Sequence, residues 1–332
     1  MTHSTSLDAL LEKRLYHELT SALLNVLSVT DTQSDRVNLF RKYVGGSLAH
    51  FNHLRVVELL RQLLRKSEDE GTVVTCLIDE LFSNGLLPEA NFQAHCLRTE
   101  CELRNSGASE TVRETLLKLE DTVHACREWR SNAEYHRVSL LYSKVIGNLG
   151  NFYMHAVRYI QVTPVDEMHG VNWVASEAAL AGLLSPEIFD LGGLLIEEKK
   201  LGELLGEQFD RVMGLLHAFD SGDVRRVEEG LKIYTLSKDQ LAVIREKTQV
   251  MGLLEICSKS KFVQIDQEME QLILRAFGGG LLRGSIDQVA INGTAQTLVV
   301  EWVRPRILDK NRISKLAEEV RRWSSNLEDI AF

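Results

Sequence analysis

The segment from Gly278 to Asp309, GGGLLRGSIDQVAINGTAQTLVVEWVRPRILD, constrains this chain more than any other part of it. Before it, Met269, Leu272, Ile273 and Ala276 recur at i, i+3, i+4 and i+7, which predicts a core-facing helix over about Asp266 to Phe277. Gly278 to Gly280 end that helix. Ser285 to Ile291 and Thr297 to Val303 are rich in β-branched residues and are expected as strands, with Asn292-Gly293 as the hairpin turn between them. Trp302 shares an alternation phase with Leu298 and Val300, so all three are expected to face the core. Helix, glycine break and hairpin in that order form the second half of a winged helix. Attached to a long helical chain, such a module serves assembly or nucleic-acid contact rather than chemistry.

The rest of the chain reads as helical. Only four prolines and 7% aromatic residues occur in 332 residues. Thr163-Pro164 and Ser185-Pro186 read as helix caps followed by a first-turn proline. Val56, Leu59, Leu60, Leu63 and Leu64 form one apolar stripe, with Arg55, Arg61, Arg65 and Lys66 on the remaining faces. Val112, Leu116, Leu119, Val123 and Cys126 form a second, and Tyr135, Val138, Tyr142, Val145 and Leu149 a third. Polar or glycine clusters such as Asn84-Gly85, Asn105-Ser106-Gly107 and Ser221-Gly222-Asp223 separate the stretches. Short helices joined by short turns pack as antiparallel neighbours, and a series of such pairs suits a solenoid. Ser237-Lys238-Asp239-Gln240 is a candidate capping box opening a helix to about Cys257. Near the end, Ile313, Leu316, Val320, Trp323 and Leu327 recur at 3, 4, 3, 4 spacing, a coiled-coil seam that could dock on its own core or on partner helices.

Charge and motif content narrow the function. The net charge of −9 opposes broad affinity for nucleic acid or anionic membranes. The predicted helix before the hairpin turns Asp266, Gln267, Glu268, Glu270, Gln271 and Arg275 outward, three acids against one base, a face that phosphate repels. The five cysteines are odd in number and scattered, which argues against a disulfide framework. The first thirty residues carry no secretory signal pattern, and no window approaches eighteen consecutive apolar residues. An intracellular protein is expected. His95-Cys96 and Cys101 lack a second pair at zinc-ligand spacing, and Asp79-Glu80 and Glu197-Glu198 point to different helix sides. No phosphate loop, H-E-x-x-H or nucleophile elbow occurs, so no catalytic, metal or cofactor site is expected.

Several segments carry a family resemblance. Phe152 to Tyr159 (FYMHAVRY), Phe189 to Leu195 (FDLGGLL), Ala218 to Asp223 (AFDSGD), Gly284 to Asp287 (GSID) and Trp302 to Asp309 (WVRPRILD) resemble the PCI-domain family. That module is shared by the proteasome lid, the COP9 signalosome and translation initiation factor three. GSID marks the winged helix of the family at large, whereas WVRPRILD with AFDSGD is similar to one group of proteasome lid subunits. Motifs cover roughly Phe152 to Trp323, while the first 150 residues match in helical character only. Two departures stand out: a longer hairpin through Ala290 to Gln296, and a compressed stretch from Ile256 to Ile265.

The resemblance implies a mainly α chain: a right-handed superhelix of helical repeats, then a winged-helix PCI domain with a small hairpin, then a C-terminal helix. The expected divisions are a repeat arm over 1–150, the helical part of the PCI domain over 151–236, the winged helix over 237–309 and an assembly helix over 310–332. It implies a non-catalytic lid scaffold, cytoplasmic and nuclear, acting in ubiquitin-dependent degradation. Other PCI subunits would be met through the hairpin edge at Val299 and Val303. The lid helical bundle would be met through Ile313, Leu316, Val320, Trp323 and Leu327, and a ubiquitin receptor through the arm. No nucleic acid, membrane or cofactor is implied. The alternatives are a PCI subunit of the signalosome or initiation factor, and a winged-helix nucleic-acid binder.

Overall fold

A computed structural model describes residues 2–30, 32–45, 48–65, 71–83, 85–168, 172–287, 296–305 and 310–330. Contacts divide the chain into two compact units, Met1–Asn148 and Leu149–Phe332.

The first unit is all helical: α1 (Thr2–Glu12), α2 (Tyr16–Val29), α3 (Gln33–Tyr43), α4 (His53–Arg65), α5 (Gly71–Ser83), α6 (Pro88–Ser106), α7 (Glu110–Val123) and α8 (Trp129–Ile146). Pro88 stands at the first helical position of α6, where its missing N–H costs nothing. The α4 stripe from Val56 to Leu64 is fully buried, as its spacing requires. α6 has no single apolar face because it is buried on two. Ala90, Ala94, Leu97 and Cys101 join the core built from α1 to α5, while Phe92, Cys96 and Leu103 join that of α7 and α8.

Two features differ from what the stripes alone suggest. Arg61 lies off the apolar stripe of α4, as its spacing places it, yet it is buried. It is 8% exposed and pairs with Glu134 of α8 at 2.9 Å. Arg137 links Glu134 to Glu100, and Glu100, wholly buried on α6, also binds Arg104 at 2.6 Å. A charge network thus ties α4, α6 and α8 together. The third stripe stops early: α8 ends at Ile146 against Gly147 in the left-handed conformation, leaving Val145 56% exposed, and Leu149 opens the next helix.

The second unit contains α9 (Leu149–Val162), α10 (Asn172–Leu184), α11 (Gly192–Leu195), α12 (Glu198–Leu205), α13 (Phe209–Ser221), α14 (Val224–Leu231) and α15 (Lys238–Cys257). β1 (Phe262–Gln264), α16 (Gln267–Gly278), β2 (Leu282–Asp287), β3 (Thr297–Val303) and α17 (Lys310–Ile330) follow. Neither expected proline cap opens an α-helix. Pro164 precedes a single 3-10 turn, and Ser185-Pro186 leads into irregular chain up to Gly192. The capping box at α15 is present, with Ser237 and Gln240 each accepting the other's backbone N–H.

Glycines set the close approaches in this unit. Gly222 ends α13 at φ +75°, and a Cβ there would lie 2.2 Å from the Cα of Gly252 on α15. The AFDSGD segment is therefore a point where α13 and α15 touch through bare backbone. Gly182 of α10 likewise faces the Tyr153 ring and Leu191, with no room for a methyl group. Tyr153 in turn donates from its hydroxyl to the Asp190 carbonyl at 3.3 Å.

Candidate partner-binding site

The sheet has the order β1-β3-β2, all antiparallel. With α15 and α16 before it, this is a winged-helix arrangement, expanded from the expected hairpin by β1. Phe262 pairs with Val299 on one side of β3, and Ser285 pairs with Val299 on the other. Val299 therefore sits on the central strand, flanked by both neighbours, and cannot offer a free edge. Val303 pairs with Leu282 on the β2 side and lies beyond the end of β1, so its other side faces no strand among the described residues. The outer sides of β1 and β2 are the sheet's edges. The Asn292-Gly293 turn lies outside the described residues.

A β-bulge explains the position of Trp302. Gly284 pairs with Val300 but Arg283 with Trp302, so Glu301 is an extra residue on β3. The bulge reverses the alternation beyond Val300. Leu298 and Val300 stay buried, whereas Trp302 emerges 38% exposed, with the Arg283 guanidinium 4.9 Å from its ring centroid. The expectation that Trp302 faces the core is corrected by that one inserted residue. Gly284 is needed at the same place, because a Cβ would meet the Val299 carbonyl oxygen at 2.1 Å. The GSID segment thus lies within β2 and opens on a strand position that must lack a side chain.

Phe262 is 64% exposed on β1, an aromatic the sequence reading did not single out. A three-residue strand is too short to display alternation, so its only sequence signal is the F-V-Q-I run, in which Val263 and Ile265 are buried.

α16 starts at Asp266, whose carboxylate accepts the Met269 N–H at 2.8 Å. Ile273 and Ala276 are buried, while Gln271 and Arg275 are exposed. Arg275, the base of this helix, is paired with Glu246 of α15. A cation already neutralised by a carboxylate adds little toward phosphate.

α17 presents its seam to solvent: Ile313 is 52% exposed, Leu316 47%, Val320 57% and Trp323 73%. The Leu327 side chain lies outside the described residues. Four large apolar side chains on one stripe of a helix, each about half or more in water, form a surface that packing on a partner would bury.

Lys247 of α15 is a feature that the sequence did not reveal. It is 4% exposed, and its Nζ donates to the carbonyl oxygens of Gly182, Leu183 and Ser185 at 2.8, 2.9 and 2.6 Å. These carbonyls end α10 and have no intrahelical donor. Phe189 and Phe219 flank the nitrogen with ring centroids at 5.4 and 5.5 Å. Burial without a carboxylate partner among the described residues pushes the ammonium down to about 7.

Cys96 and Cys101 lie beside the buried charge network, Cys96 near Glu134, Arg61 and Arg137 and Cys101 near Glu100 and Arg104. Cys96 and Cys101 are buried, and burial pushes both thiols up, Cys101 to about 12. His95 stacks on Phe82 at 4.5 Å. Among the described residues no group of three or more His, Cys, Asp or Glu is placed to hold a metal ion. None of the described helices is long and apolar enough to cross a membrane.

Comparison with known proteins agrees with this architecture along almost the whole chain. A Schizosaccharomyces pombe protein described as a probable 26S proteasome regulatory subunit rpn9 is 24% identical over 353 residues, covering 98% of this chain and 89% of that protein. The 26S proteasome non-ATPase regulatory subunit 13 of Dictyostelium discoideum is 23% identical, covering 94% and 87%. The 26S proteasome regulatory subunit RPN9 of Saccharomyces cerevisiae is 23% identical, covering 96% and 88%. The family model of the PSD13 N-terminal repeats matches residues 3–214, well over half of the sequence, and this chain therefore belongs to the PSD13 family.

Proposed function

We propose that this chain is a non-catalytic scaffold subunit of the 26S proteasome regulatory-particle lid, needed for lid assembly and so for ubiquitin-dependent protein degradation. Its relatives are named as proteasome regulatory subunits, which favours the lid over the signalosome and the initiation factor. The observation that carries the reading is the exposed seam of α17, since a subunit held by a helical bundle must present an apolar stripe that its own domain leaves uncovered.

In this reading residues 1–150 form a helical-repeat arm and 151–236 the helical part of the PCI domain. Residues 237–309 form the winged helix, and 310–332 join the lid's helical bundle through Ile313, Leu316, Val320, Trp323 and Leu327. Neighbouring PCI subunits add to the sheet at an outer strand. With Val299 internal, that role passes to the free side of β1 and to β3 around Val303. The arm holds a ubiquitin receptor, and the protein works in cytoplasm and nucleus.

Truncation after Asp309 tests the assignment. The seam is exposed, so its removal should leave the melting temperature of the free chain nearly unchanged while incorporation into the lid is lost. If the helix packed on its own domain, each large side chain removed would cost roughly 1.5–3 kcal/mol and melting would fall visibly. A large drop in melting with assembly intact refutes the reading.

A further inference from the structure

Beside the surfaces that serve assembly, the second unit carries an apolar furrow of about 600 Å³ between α14 and the first turns of α15. Val227 and Leu231 are buried in its floor, and Leu241 rises from the α15 side still 39% exposed. The capping box holds this first turn of α15 in helical form, so Leu241 is displayed by a fixed backbone. Four charged residues line the furrow. Arg245 and Glu228 pair with each other at 3.2 Å and cancel. Lys232 and Lys238 remain, both exposed, with no carboxylate partner among the described residues. An apolar furrow edged by two uncompensated cations is the reverse of the chain's overall charge of −9.

We propose that this furrow docks a short amphipathic helix of a partner protein, apolar side down and acidic along its flank. A trough between two packed helices accepts a third helix whose side chains fill the gap, and the uncovered Leu241 supplies the apolar contact at its rim. α14 has eight residues, so its wall is about 12 Å long and accommodates two to three turns of the incoming helix. The two lysines select carboxylates on the flank and set orientation, which gives specificity and on-rate more than affinity. Two cations beside an apolar floor offer too little neutralisation to hold a phosphate backbone. The proposal does not depend on the lid assignment, because neither the sheet nor α17 takes part.

The test uses the full chain and a fluorescein-labelled helical peptide of about 14 residues, long enough to be marginally helical in water. Leucines at i, i+3, i+4 and i+7 carry the apolar face and glutamates flank it. A control replaces every glutamate with lysine. In fluorescence anisotropy the acidic peptide should bind at least about tenfold more tightly than the basic one, with the difference shrinking as salt rises. Leu241→Asp should abolish binding. Lys232→Glu combined with Lys238→Glu should weaken it about tenfold without changing the circular dichroism, since all three side chains are exposed. Equal binding of both peptides, binding indifferent to Leu241→Asp, or no binding of the acidic peptide would each overturn the proposal. Loss of lid incorporation on truncating α17 bears on none of these outcomes, so the two readings fail separately.

Discussion

Replacing Lys247 with methionine removes the ammonium but keeps most of the stem that lies among Phe189 and Phe219. Three carbonyls at the end of α10 lose their donor. At about 1 kcal/mol net for each hydrogen bond the loss is about 3 kcal/mol. Methionine no longer has a charge to desolvate, which returns part of this, and we expect a net destabilisation of about 2 kcal/mol. For a unit of this size each kcal/mol moves the midpoint by roughly 2–4 °C, so thermal melting of Lys247→Met followed by circular dichroism should fall about 4–8 °C below wild type. The pH dependence follows from the depressed pKa. Between about 7 in the folded chain and the ordinary value of 10.5, the unfolded chain holds a proton that the folded chain has released. Stability at this site therefore rises with pH across that window, and the gap between wild type and Lys247→Met should widen from pH 7 to pH 9. A variant melting within 1 °C of wild type would show that the three bonds are not holding α10 against α15. A gap that stays constant from pH 7 to pH 9 would show that the carbonyls hold the proton against burial, because folded and unfolded chains would then bind it equally across that window.

Other substitutions probe the remaining contacts. Glu134→Leu leaves Arg61 buried beside an apolar side chain and should destabilise the chain by about 3–5 kcal/mol in urea titration, whereas a change below about 0.5 kcal/mol would mean the network is solvated. Gly222→Ala combines a positive φ with collision against Gly252 and should cost clearly more than Gly147→Ala, which shares the positive φ but has open space around it. Equal losses in the two variants would refute the close approach of α13 and α15. In thiol titration of the native protein, exposed Cys76 should react first, and buried Cys96 and Cys101 only on unfolding. Early modification of Cys101 would contradict its burial.

What the sequence by itself determined is whatever local chemistry specifies. The Ser237 capping box, the α4 stripe, the apolar stripe of α16 and the β-branched run of β3 each act through residues within a turn or a strand of one another, and each of these elements lies where its signals put it. The seam of α17 was legible for the same reason, since 3, 4, 3, 4 spacing is a property of one helix. Tertiary structure decided the features whose partners are distant. β1 became a strand only because Thr297 to Val299 lie beside it, and its arrival turned Val299 from an edge residue into a central one. One inserted residue, Glu301, sent Trp302 to the opposite face. Arg61 and Lys247 look like ordinary surface cations in a helical pattern, yet the first is drawn inside by Glu134 and the second by carbonyls 62 to 65 residues away. A long side chain can be buried wherever the fold supplies hydrogen-bond partners for its charge, and those partners come from other helices, which no pattern along α4 or α15 contains.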